Sequence, residues 1–185
     1  TEVAHALLGL PLPTNIKTYN QDARLFLMQR RTGNKYHIVI GDVFNDLSTP
    51  YHLTTLEFDK LVKANMEKNG IYLINIIDDY GQGRYMSAFI HTLRQAFDHV
   101  YLFCIGGSLE QQGASTFVIA ATDRRIDLDD YRKFVTVDVK AGPLANPIDE
   151  VELDKYLAEK APILLNDDYV PTDILVAPLI VERYK

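Results

Sequence analysis

Aspartates follow three of the predicted β-strands of this sequence, at the points where those strands end. The strands are Ile16–Tyr19, Tyr36–Gly41 and Ile71–Ile77. The acids that follow them are Asp22, Asp42, Asp78 and Asp79. Because ligands of open α/β sheets bind beyond the carboxyl ends of the strands, we expect these carboxylates to line one crevice. Carboxylates placed there can bind a cationic amine, hold ribose hydroxyls or act as a base.

Each acid also has a purely structural interpretation. Asp22 precedes a predicted helix that begins at Ala23, so an N-cap role is as good an interpretation as a binding role. Asp42 directly follows a buried strand, which favours function over a loop cap. For Asp78 and Asp79 a solvated turn is slightly favoured over a site.

A second acidic group lies near the C-terminal end, where Asp167 and Asp168 precede Tyr169. Two carboxylates beside an aromatic ring suit an ammonium group, through charge and cation–π contact. A capped turn is an equally good interpretation. Tyr51 is a further candidate for the wall of a pocket, although several of the 11 tyrosines must serve packing alone.

Other chemistries find little support in the sequence. The histidines show no metal-ligand spacing, and no Gly-rich phosphate-binding motif occurs. Cys104 lies in an apolar strand, which is typical of an inert core thiol. As the single cysteine, it excludes an intrachain disulfide and a cysteine-based zinc site.

The elements that must position these residues alternate along the chain. Short β-branched runs alternate with segments of helical period, which predicts an α/β domain with a mainly parallel sheet. The predicted helices are Val3–Leu10, Ala23–Arg31, Thr55–Glu67, Arg84–Phe97 and Asp149–Lys160. Two further strands, Val100–Ile105 and Thr116–Ala121, are predicted to form an antiparallel pair because no helical pattern separates them. Leu164–Pro178 is predicted as an irregular tail, and residues 1–185 as one domain.

Composition narrows the classes of function. The chain has 185 residues, 47% of them hydrophobic, and a formal net charge of −6, which is ordinary for a globular domain. The acidic balance argues against nucleic-acid binding, which needs a basic face. No apolar run approaches the ~18 residues of a membrane span, and no signal peptide follows Thr1.

Four stretches together resemble the spermidine synthase-like family, especially a bacterial branch in which the domain follows a membrane segment. They are TYNQDARLFL (Thr18–Leu27), YHIVIGDVFNDLSTPYHLTTLEF (Tyr36–Phe58), GIYLINIIDD (Gly70–Asp79) and LNDDYVPTDILVAP (Leu165–Pro178). The resemblance covers nearly the whole chain. It implies the Rossmann-like fold of class I S-adenosylmethionine-dependent methyltransferases, with an antiparallel strand pair at the C-terminal end.

The resemblance also implies an activity. Members of the family transfer an aminopropyl group from decarboxylated S-adenosylmethionine, a co-substrate, to putrescine, without a metal. By position in the motifs, Asp42 would be catalytic, and Asp22 with Ala23 would hold the nucleoside. The positions expected on the amine side are Asp46, Tyr51, Asp78, Asp79, Asp167, Asp168 and Tyr169.

The sequence departs from the family pattern in two ways. Asn45 stands where the family has a second acid, with Asp46 one place later. The glycine-rich loop and the ribose-binding acid of the family would precede Thr1. We therefore expect the chain to be the C-terminal part of a catalytic domain that lacks the first two strands, and to be inactive alone. The edge of Tyr36–Gly41 would then need cover from a partner chain, a displaced Ile16–Tyr19 strand or residues elsewhere.

Two alternative functions remain at this point. One is an S-adenosylmethionine-dependent methyltransferase on the same fold, and the other is a degenerate, non-catalytic binding or assembly module. In the leading hypothesis the partner is a small amine, with no nucleic acid and no membrane contact by this segment. This hypothesis also places the domain in the cytoplasm and a membrane segment elsewhere in the full-length protein, and it leaves homodimerisation open.

Overall fold

The chain folds as helices packed against a mixed β-sheet in the computed structural model, which describes residues 2–11, 13–30, 33, 35–43, 49–105, 113–135 and 145–183. The strands are β1 (Tyr36–Gly41), β2 (Met66–Asp78), β3 (His99–Ile105), β4 (Ser115–Thr122) and β5 (Ala145–Pro147). The helices are α1 (Glu2–Leu7), α2 (Ala23–Gln29), α3 (Leu56–Ala64), α4 (Tyr85–Leu93), α5 (Leu128–Val135), α6 (Glu150–Lys160) and α7 (Thr172–Arg183), with a 3₁₀ turn at Tyr51–Leu53.

The described strands form one sheet in the order β1-β2-β4-β3-β5. β1 runs parallel to β2, with Ile38 opposite Ile71, whereas β4 lies between β2 and β3 and is antiparallel to both. β1, β2 and β3 therefore point the same way, and β4 and β5 oppose them. The predicted α/β class and the predicted antiparallel pair are confirmed.

Strand β2 separates two unlike faces of the sheet. Tyr72, Ile74 and Ile76 lie on the face that packs against helices, and all three are buried. Helix α4 supplies the opposing layer, with eight of its nine residues buried. The other face of β2 carries residues 71, 73, 75 and 77, which are only half-buried. On that second face α5 contributes Tyr131, whose ring meets Phe103 of β3 edge-on at 5.2 Å.

The starts of α2 and α3 lie together at the carboxyl edge of the sheet. Each helix begins after an N-cap side chain that accepts a backbone N–H bond, Asp22 for α2 and Thr55 for α3. Helix α3 leads from the end of β1 back to the start of β2, so its first turn lies beyond the carboxyl end of β1. Arg24 of α2 reaches the carbonyl of His52, just before α3.

The predicted strand at Ile16–Tyr19 is wrong. The described residues there form no strand, and the sheet strands do not pair with them. Ile16 and Tyr19 are each 60% exposed. Burial and a neighbouring strand stabilise a short apolar run as β-structure, and this run has neither within the described ranges.

The predicted irregular tail is also wrong, because its second half is helix α7. Buried Leu175, Val176 and Leu179 recur at helical spacing and pack on the core. Pro178, the last residue of the predicted tail, lies inside the helix. The sequence pattern also missed α5, whose first turn is acidic and last turn basic, and the three-residue strand β5.

Strand β1 forms one edge of the sheet. Ile38 and Ile40 are 57% and 69% exposed, on the face that carries Leu73 of β2. The prediction that this strand is buried is therefore wrong, because β1 lies at the edge of the sheet and none of its residues is fully covered. An open cavity of about 260 Å³, lined mainly by apolar side chains, lies between β1 and α2. Since Ile16–Tyr19 does not pair with β1, that way of covering the edge is excluded; a partner chain or residues elsewhere stay predictions.

Candidate functional site

Asp42 lies immediately beyond β1, opposite Asn75 of β2. The preceding residue must be small, since a Cβ on Gly41 would lie 3.0 Å from the Tyr72 hydroxyl. The amide of Asn75 donates from Nδ2 to Oδ1 of Asp42 over 3.0 Å. Among the described residues, Asp42 has no other hydrogen-bond partner and no basic side chain forms an ion pair with it. Oδ2 of Asp42 is therefore available to a ligand that donates.

Asp22 holds the start of α2 with one oxygen and His52 with the other. Oδ1 accepts the backbone N–H of Leu25 over 2.9 Å, and Oδ2 lies 2.7 Å from His52 Nε2. These two bonds, the Leu25 N–H foremost, lower the pKa of Asp22. The neighbouring Ala23 lines the apolar cavity beside β1. Asp22 is thus a fixed carboxylate next to a hydrophobic surface.

Asp167 is bound to the same region by Arg24. Both guanidinium nitrogens donate to the carboxylate, over 2.8 and 2.5 Å. Asp167 also accepts the hydroxyl of Thr55, and its own N–H donates to Glu57. The hydrogen bond from Arg24 is the main cause of the lowered pKa of Asp167. The contact places residue 167 against the first turns of α2 and α3.

Asp78 and Asp79 form a separate group at the end of β2. Asp78 is fully buried, and its oxygens accept the backbone N–H groups of Met86 and Asp79. Burial raises the pKa of Asp78 to about 6, against the effect of these bonds. Asp79 accepts the N–H groups of Gln82 and Gly113. These acids build the loop and the start of α4, and neither faces open solvent.

The remaining predicted residues are exposed or lie outside the described ranges. Tyr51 is 60% and Tyr169 58% exposed, and Asp168 is exposed beside it. The ring of Tyr51 meets the ring of His52 edge-on at 5.5 Å. Asp46 lies outside the described residues. The structure thus links Asp22 to Asp167 through His52 and Arg24, because the His52 ring contacts Asp22 while Arg24 donates to both the His52 carbonyl and Asp167. It sets Asp42 with Asn75 beyond β1.

Sequence reasoning missed four residues of these contacts. Arg24, His52, Thr55 and Asn75 each hold a predicted acid. Asn75 did leave a signal, since it is the polar exception among the alternate residues 71, 73, 75 and 77 of an otherwise apolar strand face. Arg24 left a weaker one, because it directly follows the acid–alanine pair.

Two negative observations concern the part of the chain that the structure describes. No group of three or more metal-binding side chains converges there. No helix in that part has the length and apolar character needed to cross a bilayer.

Comparison with known proteins gives one sequence relative and a clear fold. No family model matches the chain. A probable polyamine aminopropyl transferase of Bifidobacterium longum (strain NCC 2705) is 26% identical over 99 residues, which are 52% of this chain and 21% of that protein. A probable spermidine synthase structure from Corynebacterium glutamicum ATCC 13032 superposes with a TM-score of 0.76 at 19% identity, over 92% of this chain.

A second solved structure, spermidine synthase from Thermotoga maritima, gives a TM-score of 0.54 at 16% identity over 85% of this chain. The chain spans 61% of the Corynebacterium structure and 56% of the Thermotoga structure. These likenesses confirm the predicted Rossmann-like methyltransferase fold.

Proposed function

We propose that this chain belongs to a polyamine aminopropyltransferase that uses decarboxylated S-adenosylmethionine and an amine such as putrescine. The observation that carries the proposal is Asp42, which lies beyond a parallel strand, is held by Asn75 and has no cationic partner among the described residues. A carboxylate in that state suits an ammonium substrate. The aminopropyl transferase relative and the spermidine synthase folds support the choice of reaction.

Asp42 acts as the general base in this proposal. The amine loses a proton to the carboxylate, and its nitrogen lone pair attacks the carbon next to the sulfonium sulfur. The carbon–sulfur bond breaks, its electron pair stays on sulfur, and a neutral thioether leaves. No further co-reactant is needed: the ammonium gives one proton to Asp42, and the positive charge that sulfur loses appears on the newly alkylated nitrogen.

The other site residues bind or position. Asp22 and Ala23 lie at the start of α2 and hold the nucleoside end of the donor. The exposed group Tyr51, Asp168 and Tyr169 contacts the amine, together with Asp46. Asp167 contributes to the site by its ion pair with Arg24. Asp78 and Asp79 shape the loop after β2, since the oxygens of these two acids already accept internal N–H groups. From the sequence, Asp78, Asp79 and Asp167 were expected to contact the amine directly; in this proposal they hold other parts of the site instead.

The catalytic domain extends beyond this chain in our proposal. The open edge of β1, the exposed Ile38 and Ile40 and the adjacent apolar cavity are complementary to further parallel strands. The solved relatives are longer than this chain, as their coverage shows. We therefore expect the isolated chain to lack donor binding, and the full-length protein to carry the activity in the cytoplasm.

Product analysis of the full-length protein tests the function. The protein is offered putrescine with decarboxylated S-adenosylmethionine and, separately, with S-adenosylmethionine. Spermidine and methylthioadenosine from the first donor are expected. A methylated product from the second donor would instead establish the methyltransferase alternative. No product from either donor would favour a non-catalytic module.

A further inference from the structure

Asn75 is the side chain that contacts the proposed base, and its surroundings are unusual. On the half-buried face of β2, its neighbours along the strand are Leu73 and Ile77. Its cross-strand neighbour on β4 is Val118. An apolar residue would match these neighbours better, so packing of the sheet does not explain an amide here.

Only one of the two polar groups of the Asn75 side-chain amide has a hydrogen-bond partner among the described residues. Nδ2 donates to Asp42, but Oδ1 is buried and has no hydrogen-bond partner among the described residues. A buried unpaired carbonyl oxygen destabilises the fold relative to an apolar side chain of the same shape. The reverse orientation of the amide would place Oδ1 against the carboxylate of Asp42, where two acceptors repel. The bond to Asp42 therefore fixes the orientation of Asn75.

We propose that Asn75 is a positioning residue for the base in the aminopropyl transfer, an inference that rests on the proposed function. The bond to Oδ1 fixes the rotation of the Asp42 carboxylate, so that Oδ2 faces the incoming ammonium. Asp42 lies in the chain segment after β1 and not within a strand, so its side chain needs such an anchor. The anchor comes from β2, whose backbone is hydrogen-bonded on both sides.

Kinetics of Asn75→Leu in the full-length protein test this role. We expect kcat to fall about 10- to 100-fold with KM for putrescine nearly unchanged, because the base is misplaced while the binding surface remains. The thermal midpoint should be equal to that of the wild type or higher, since the orphaned oxygen is gone. A residue with only a structural role would lower stability and leave kcat intact.

Two further variants sharpen the test. Asn75→Asp keeps the shape but sets a second carboxylate against Asp42, and it should lower kcat more than Asn75→Leu does. The matched control is Asn146→Asp, which makes the same change at an exposed residue of β5, on the opposite edge of the sheet. The control should keep wild-type kcat.

A spectroscopic measurement covers the case in which the Asn75 variants do not fold. In the 185-residue chain, the side-chain amide signals of Asn75 should shift on Asp42→Ala more than those of any other asparagine. Signals that do not move, or wild-type kcat in Asn75→Leu, overturn the inference. A wild-type protein that transfers nothing overturns the proposed function itself, so the two failures are distinguishable.

Discussion

Arg24 and Asp167 form a two-point ion pair although 143 residues separate them in the chain. The Arg24 side chain is 20% exposed and the Asp167 side chain 43% exposed, so the pair lies at the boundary of solvent. Thr55 donates to the same carboxylate and is the N-cap of α3. The pair therefore ties the segment before α7 to the beginnings of two helices at the carboxyl edge.

A double-mutant cycle measures the strength of this tie. Arg24→Met, Asp167→Asn and the double variant should give a coupling free energy of about 1 kcal/mol by urea unfolding, because partial exposure weakens the pair. The lowered pKa of Asp167 means that this stabilisation is present above pH 3.8 and is lost as the pH falls further. Asp168→Asn is the control, since its exposed side chain should change stability by under about 0.5 kcal/mol. A coupling of zero would contradict the tie.

Asp42→Asn should abolish most of the proposed transfer while leaving the fold intact. The variant keeps the size of the side chain but removes the proton acceptor and its charge. General-base groups contribute about 10²–10⁴-fold in rate, so a loss of that size is expected in single-turnover assays of the full-length protein. A variant with near wild-type turnover would remove Asp42 from the mechanism. Circular dichroism of both proteins controls for unfolding.

Asp78 should make the protein less stable as the pH rises toward neutrality. Its pKa is raised from 3.8 to about 6 by burial, so the folded state binds a proton that the unfolded state releases. Stability from this group is full below pH 3.8 and is lost as the pH rises to about 6, a change of about 3 kcal/mol. Asp78→Asn should flatten that part of the profile in urea unfolding. An unchanged slope between the two proteins would show that Asp78 does not titrate in this range.

Asp59 of α3 is buried in the core without a partner for either carboxylate oxygen among the described residues. Burial, and secondarily the charge of Glu57, raise its pKa well above 3.8. The folded state is therefore penalised once the pH exceeds 3.8, and Asp59→Asn should be more stable near pH 7 by about 1–3 kcal/mol. The gain should fade as the pH drops through 3.8 and vanish below it, where Asp59 is protonated in both the folded and the unfolded state. Asp129→Asn, an exposed counterpart on α5, should show no gain, and a destabilised Asp59→Asn would refute the argument.

The strands β1 and β2 could be located from sequence because their signal is local. The run YHIVIG gave β1 with the bounds that the structure has, Tyr36–Gly41. Ile16–Tyr19 failed, since a strand also needs a neighbour, which no local pattern reports. Helix α7 was also missed: it contains Pro178, a residue that disfavours a helix interior, and packing of Leu175, Val176 and Leu179 on the core stabilises it.

The sequence predicted where part of the candidate site lies better than it predicted what each acid contacts. Placing Asp42 beyond the end of β1 needed only the general rule for α/β sheets. The same argument was wrong for Asp22, because Ile16–Tyr19 is not a strand and Asp22 caps α2 instead. The burial of Asp78 was not predictable, because it depends on N–H groups that α4 and Asp79 supply in three dimensions. Likewise, no spacing in the sequence pairs Arg24 with Asp167.

The insertion of β4 between β2 and β3 has a consequence for the order of folding. Ile71 of β2 pairs with Thr122, and His99 of β3 pairs with the same residue. During synthesis, the long strand β2 thus has only β1 beside it, among the described strands, until β4 (Ser115–Thr122) has been made. Closing the long loop between β2 and β4 is slow. An incomplete chain would therefore leave the edges of β2 and β3 that β4 later covers unpaired and open to other molecules. A ribosome-bound chain that ends before β4 would therefore present the β2 edge that β4 later covers to chaperones and to other chains.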